Sequence, residues 1–196
     1  MTAKQPHRRP RVDVQRNRNA LLETAQRHFR ERGVDTSLEA IAKDAGVGPA
    51  TLYRHFPTRD DLLAAVLQVN SDELARQRKE IESLKAPAEG LDLWLRALGD
   101  YFSAFQGLSG PLMTAVQRPD SGNPLTIPRD ALVLATEHFV KAARGAGCVR
   151  PDVQGSDLFL TACSVASIRR NGADENSLAR LRSMIASGYR ESDTTS

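Results

Sequence analysis

The sequence predicts an all-α chain built as an N-terminal three-helix head, a connecting helix and a larger C-terminal helical body. Three observations carry this. Apolar residues recur at helical spacing through most of the length, with no period-two alternation and no Asn-Gly or Asp-Gly hairpin signal between alternating runs. Capping residues and Gly or Pro stops fall where each periodic run begins and ends. The positive charge is gathered at one end: residues 1–59 hold 12 Lys and Arg against 6 Asp and Glu, whereas the remaining residues hold 15 against 18.

With 196 residues, 40% of them hydrophobic and 26% charged, the chain can bury a core without disulfides or a structural metal. Cys148 and Cys163 form neither a CxxC pair nor a secreted-type framework and read as buried, reduced thiols. No run of about 18 apolar residues is present, and no apolar stretch follows the basic N-terminus, so a cytoplasmic protein with no membrane partner is expected. His7, His28, His55 and His138 are scattered, without ligand spacing to a Cys or carboxylate, which argues against a metal site; no cofactor is expected either.

Residues 1–14, with Pro6 and Pro10 among polar and basic side chains, suit a flexible arm. The run Lys4, Arg8, Arg9, Arg11, Arg16 and Arg18 is either a solvated tail or a contact for a polyanion. A first helix follows, with Leu22, Ala25 and Phe29 on one face and Gly33 as a left-handed C-terminal cap. Thr36-Ser37-Leu38-Glu39 reads as a capping box with Thr36 as the cap, opening a second helix through Ile41 and Ala42 to about Ala45. Gly46 permits a sharp turn, Val47 plugs it, and Gly48-Pro49 restarts a short third helix to about Phe56. Pro57 stops that helix. Thr58, with Asp60 and Asp61, opens a long connecting helix expected to run unbroken to about Leu84. Beyond Pro87, helices are expected over about 88–106, 109–117, 128–146, 154–170 and 174–190, with a Pro- and Gly-rich loop from Gln117 to Pro128. The domains are then an arm (1–14), a head (15–60) and a body (61–196), linked by the helix over about 58–84.

Ala42, Gly46 and Leu52 supply, at spacings of four and six, the small contact residue, the turn residue and the apolar seat that a helix-turn-helix requires. In that motif the second helix enters the major groove, and here its outward side chains are Pro49, Ala50, Thr51, Tyr53 and Arg54. Ala50 and the Thr51 methyl suit a thymine methyl, Arg54 suits a guanine, and the Tyr53 hydroxyl suits a base or a phosphate. His55 suits either this surface or packing against the next helix.

Residues 16–66, and Thr51-Leu52-Tyr53-Arg54-His55-Phe56 most of all, resemble the signature of the tetracycline-repressor (TetR) family, with Phe29-Arg30-Glu31-Arg32-Gly33 closing the first helix. The resemblance implies a homodimer that places two recognition helices on a palindromic operator, and a C-terminal domain that dimerises and binds a small effector. It makes Thr36 and Ser37 phosphate contacts, Pro49, Ala50 and Tyr53 base-side contacts, and Thr51 and His55 backbone-positioning residues. Gly48 stands where the family often has Ser, and Arg59 where it often has Lys; Arg59 keeps a charge for phosphate. The basic arm would add phosphate or minor-groove contacts.

In the body, Leu91, Leu95, Leu98, Phe102 and Phe105 form a stripe with Trp94 and Tyr101 beside it, which is either deep core or a cavity wall. The resemblance favours an effector pocket lined by Trp94, Tyr101, Phe105, Met113 and Phe139. Leu158, Ala162, Val165 and Ala166, then Leu178, Leu181, Ile185 and Tyr189, either close the monomer core or form the dimer interface over about 154–190 that the resemblance implies. No nucleophile-base pattern, phosphate loop or paired carboxylate is found, so an enzyme is not expected. The leading expectation is a ligand-released repressor. An activator or architectural DNA-binding protein without an effector, and a helical small-molecule carrier, are the alternatives.

Overall fold

The computed structural model describes residues 10–117 and 122–191. Ten helices occupy those residues: α1 (Pro10–Arg32), α2 (Leu38–Asp44), α3 (Pro49–His55), α4 (Arg59–Val69), α5 (Ser71–Glu82), α6 (Pro87–Ser103), α7 (Ser109–Gln117), α8 (Thr126–Gly145), α9 (Gly155–Arg170) and α10 (Glu175–Tyr189). Among the described residues the one β element is an isolated antiparallel bridge between Val149 and Arg190.

The head packs around the apolar face of α1. Leu21, Ala25 and Phe29 are fully buried against Ile41, Ala42 and Leu52, and Leu62, Leu63 and Val66 of α4 close the far side. Gly46 takes φ +70°, where its amide reaches Lys43 O at 3.1 Å and the Val47 amide reaches Ala42 O at 3.0 Å, so the chain reverses between α2 and α3 with its backbone groups paired. Pro49 sits in the first turn of α3. The Thr58 hydroxyl accepts from the Asp61 amide while the Asp61 carboxylate accepts from the Thr58 amide, the reciprocal cap that opens α4.

The body is organised on α6, α8 and α9. The buried Trp94 indole stacks on Phe139 at 5.2 Å and donates Nε1 to Thr136 Oγ1 at 3.0 Å, so its one polar atom is satisfied inside the core. Phe102 meets Phe159 edge to face at 5.5 Å. Gly155, at the start of α9, lies so close to α8 that a Cβ there would stand 2.5 Å from the Glu137 amide nitrogen; its own amide donates to Glu137 Oε2 at 2.6 Å. Head and body meet where the Val34 amide donates to Gln106 O at 2.8 Å, and where Arg30 lies over the Phe105 ring at 5.6 Å.

Four expectations are corrected by this geometry. Residues 10–14 belong to α1 and not to an arm; residues 1–9, with Lys4, Arg8 and Arg9, lie outside the described residues. The cap of α2 is Ser37, whose hydroxyl accepts from the Ala40 amide at 3.2 Å, and not Thr36. The connecting helix is broken at Asn70. There the Asn70 Nδ2 takes the Val66 carbonyl at 2.7 Å, while its Oδ1 accepts from Gln26 at 2.6 Å and Arg30 at 3.0 Å, so a side chain that competes for helix carbonyls is also anchored to α1. Of the two thiols, Cys163 is buried, and burial pushes its pKa up to about 12, whereas Cys148 is only half-buried.

Candidate nucleic-acid interface

The seven residues of α3 divide cleanly into an inner and an outer set. Leu52 is fully buried and seats the helix on α1 and α2, and Phe56, just beyond its end, is 3% exposed. That anchoring turns Pro49, Ala50, Tyr53 and Arg54 to solvent, with Thr51 and His55 half-buried at the margins. Thr36 is half-buried and Ser37 exposed at the start of α2. Hydrogen bonds join the start of α2 to α3 through Glu39 and to the start of α4 through Arg59, so these three segments adjoin and present one surface.

Several polar side chains there already have partners. Glu39, which sequence reading used only as a cap, accepts from the Tyr53 hydroxyl at 2.8 Å through Oε1 and from the Ser37 hydroxyl at 2.8 Å through Oε2. These two hydrogen bonds, from Ser37 first and Tyr53 second, hold the Glu39 carboxyl below the usual carboxylate range, and the same contact raises the Tyr53 phenol. Arg59 donates Nη1 to Val34 O and to Thr36 O, both at 2.6 Å, which clamps the turn between α1 and α2. Arg18 of α1 lies over the Phe56 ring, its guanidinium 5.5 Å from the ring centre. Behind it, the fully buried His28 places Nε2 2.8 Å from Asp44 Oδ2, joining α1 to the end of α2.

The residues expected to line an effector pocket do not converge on one hollow. Trp94 and Phe139 fill the core against each other, and Phe105 is 2% exposed beneath Arg30. Tyr101 leans edge-on against Phe105 at 6.5 Å and donates its hydroxyl to Leu67 O at 3.2 Å, whereas Met113 lies exposed on α7. The apolar stripe of α6 is core along Leu91, Leu98 and Phe102, and Phe105 just beyond its end continues it. Leu95 instead faces a groove of about 530 Å³ between α6, α9 and α10, bordered by Asp92, Arg96, Arg182 and Tyr189. A smaller cleft of about 250 Å³ lies at the head–body joint, between Arg32, Phe105, Gln106 and Arg170.

Among the described residues no three His, Cys, Asp or Glu side chains could hold a metal ion, and no helix is long and apolar enough to cross a membrane. A basic head that presents the second helix of a helix-turn-helix, carried on an all-helical body, is the architecture of a DNA-binding transcriptional regulator.

Comparison with known proteins narrows the class. Residues 21–66 match the model of bacterial regulatory proteins of the tetR family, and residues 86–191 match the C-terminal domain of SbtR-like transcriptional regulators. The chain belongs to the TetR family. A TetR transcriptional regulator from Streptomyces coelicolor is 32% identical with a TM-score of 0.58, over 89% of this chain and 99% of that one. An HTH-type transcriptional regulator of Staphylococcus aureus strain USA300 is 40% identical over 73 residues, 37% of this chain and 40% of that protein, so this likeness is confined to a minority of either chain. AibR, solved in complex with isovaleryl coenzyme A and operator DNA, shares the fold at 19% identity and a TM-score of 0.56, over 88% of this chain and 97% of that one.

Proposed function

We propose that the chain is a repressor that binds a palindromic operator as a homodimer and is released from it by a small-molecule effector. The observation that carries this reading is the outward presentation of Pro49, Ala50, Tyr53 and Arg54 on a helix whose inner face is locked by Leu52. Side chains held this way keep their geometry on approach to DNA, so base discrimination is not lost to ordering. Thr51 and His55 would set the helix against the sugar-phosphate backbone; Thr36 and Arg59 would face the flanking phosphates, with Ser37 beside them as the cap of α2.

Dimerisation is assigned to α9 and α10, whose outer faces leave Ile168 43% and Met184 71% exposed. A two-fold dimer matches a two-fold operator. The effector is assigned to the body, where Tyr101 and Phe105 are the residues that reach the head: Tyr101 bonds α4, and Phe105 lies under Arg30 of α1. A ligand that prefers the conformation in which the two heads are wrongly spaced lowers operator affinity by its differential affinity for the two states.

The test is selection of genomic fragments by the full chain, followed by titration of the recovered duplex across salt. Binding that falls steeply with salt and prefers an inverted repeat supports the reading; equal affinity for scrambled duplexes refutes it. A metabolite panel screened first by thermal shift and then for release of the bound duplex tests the effector arm. No compound that does both would leave the DNA-binding reading standing and remove the ligand.

A further inference from the structure

Two hydroxyls of the DNA-facing surface share one carboxylate, and this limits what they can say to DNA. A hydroxyl carries a single proton. The Tyr53 proton lies on Glu39 Oε1 and the Ser37 proton on Glu39 Oε2, each across 2.8 Å, while the Ser37 oxygen also accepts from the Ala40 amide. Phosphate oxygens only accept hydrogen bonds, so neither hydroxyl can donate to the backbone of DNA while it remains on Glu39. In the major groove, adenine N6 and cytosine N4 are donors, whereas guanine O6 and N7 and thymine O4 are acceptors. A Tyr53 oxygen whose proton is committed has lone pairs alone to offer, and the side chain is 43% exposed, free to reach a base edge.

We propose that Glu39 is a specificity-determining positioning residue, which fixes the Tyr53 hydroxyl as an acceptor so that Tyr53 selects the amino group of adenine or cytosine and takes no part in phosphate binding. The inference rests on the reading of α3 as the base-contacting helix. Glu39 need not touch DNA to do this. Its charge also repels nearby phosphates, so it lowers affinity for every duplex while sharpening the choice among them. The hydrogen bonds from Ser37 and Tyr53 lower the Glu39 pKa and so favour the ionised, accepting carboxylate.

The test uses the full chain and a randomised duplex pool, with E39A, E39Q, Y53F and E39A/Y53F compared with wild type. Helical circular dichroism and thermal midpoint confirm that each variant is folded. The selected duplex should require adenine or cytosine at one position of each half-site. E39A should bind scrambled duplex more tightly, lose about tenfold in the ratio of selected to scrambled affinity, the discrimination of one good base contact, and admit guanine or thymine at that position. E39Q retains an acceptor for the tyrosine and should raise affinity for both duplexes alike with the base preference intact. Adding E39A to Y53F should change the ratio no further. If E39A strengthens all duplexes equally without altering base preference, or acts equally with and without the Tyr53 hydroxyl, Glu39 is a charge only and the proposal fails. A wild-type chain that enriches no sequence overturns the reading of α3 itself, a result distinct from either.

Discussion

His28 and Asp44 show how much a single side chain decides in the head. The imidazole is fully buried and bonded to a carboxylate that is itself partly exposed. That hydrogen bond, with the imidazole's charge interaction behind it, lowers the Asp44 pKa. Because the folded-state value is depressed, the contribution is present above the unfolded value, near pH 3.9, and is lost as pH falls through the folded value below it. D44N should therefore destabilise the protein at neutral pH and narrow its gap to wild type as the solution is taken below about pH 4, followed as urea midpoints across pH. A gap of constant size would mean that the charge is irrelevant. Neither partner stood out in the sequence, because a histidine and an aspartate sixteen positions apart on different helices share no periodicity. The same blindness hid Glu39. Its spacing from Thr36 satisfied a capping pattern, yet the next hydroxyl, Ser37, took the cap, and the carboxylate was left to bond a tyrosine fourteen residues away. Local pattern shows that a side chain is polar and near a helix end; which of two adjacent hydroxyls turns inward depends on how the helix packs.

At the level of elements, boundaries written in backbone chemistry were legible. The Thr58–Asp61 cap, the Gly46 turn and the Pro49 start all sit where the sequence placed them, since each depends on residues within a few positions. The break at Asn70 was not legible, because one asparagine in a helical run costs little by itself; what fixes it is the pair of donors from α1. Gly155 belongs to the same class of long-range effect. At a helix start it looks like a weak cap, but its absent side chain is what lets α9 approach the α8 backbone. A Cβ at 2.5 Å from a backbone nitrogen cannot be relieved by rotating a side chain, so α8 and α9 must separate. G155A should lower stability by about 2 kcal/mol, within the range for overpacked sites, read as a drop in urea midpoint with unchanged helical content in the native baseline. A neutral G155A would mean that the two helices tolerate separation.

Across the whole molecule, the question is how the body speaks to the head, and the Tyr101 hydroxyl is the clearest polar tie between them. It donates to the carbonyl of Leu67, in the last turn of α4, where carbonyls lose their helical partners and where the break at Asn70 follows. Burial raises the Tyr101 phenol above its ordinary value, so at neutral pH the group is a neutral donor. Y101F keeps the ring against Phe102 and Phe105 and removes this donor alone. The expected loss of stability is about 1 kcal/mol, the usual net value of one hydrogen bond. The more telling consequence concerns coupling. If the effector works by moving α6 and α6 moves α4 through this bond, Y101F should bind operator within about threefold of wild type, since no base or phosphate contact is altered, yet show a smaller effector-induced loss of affinity. Coupling energies of a few kcal/mol correspond to roughly 5- to 150-fold effects, wide enough for a partial loss to be measured by titration with and without ligand. An unchanged response would place the coupling in the second contact, where Val34 meets Gln106 and Arg30 covers Phe105, and the same titration on an R30A variant would then show the loss.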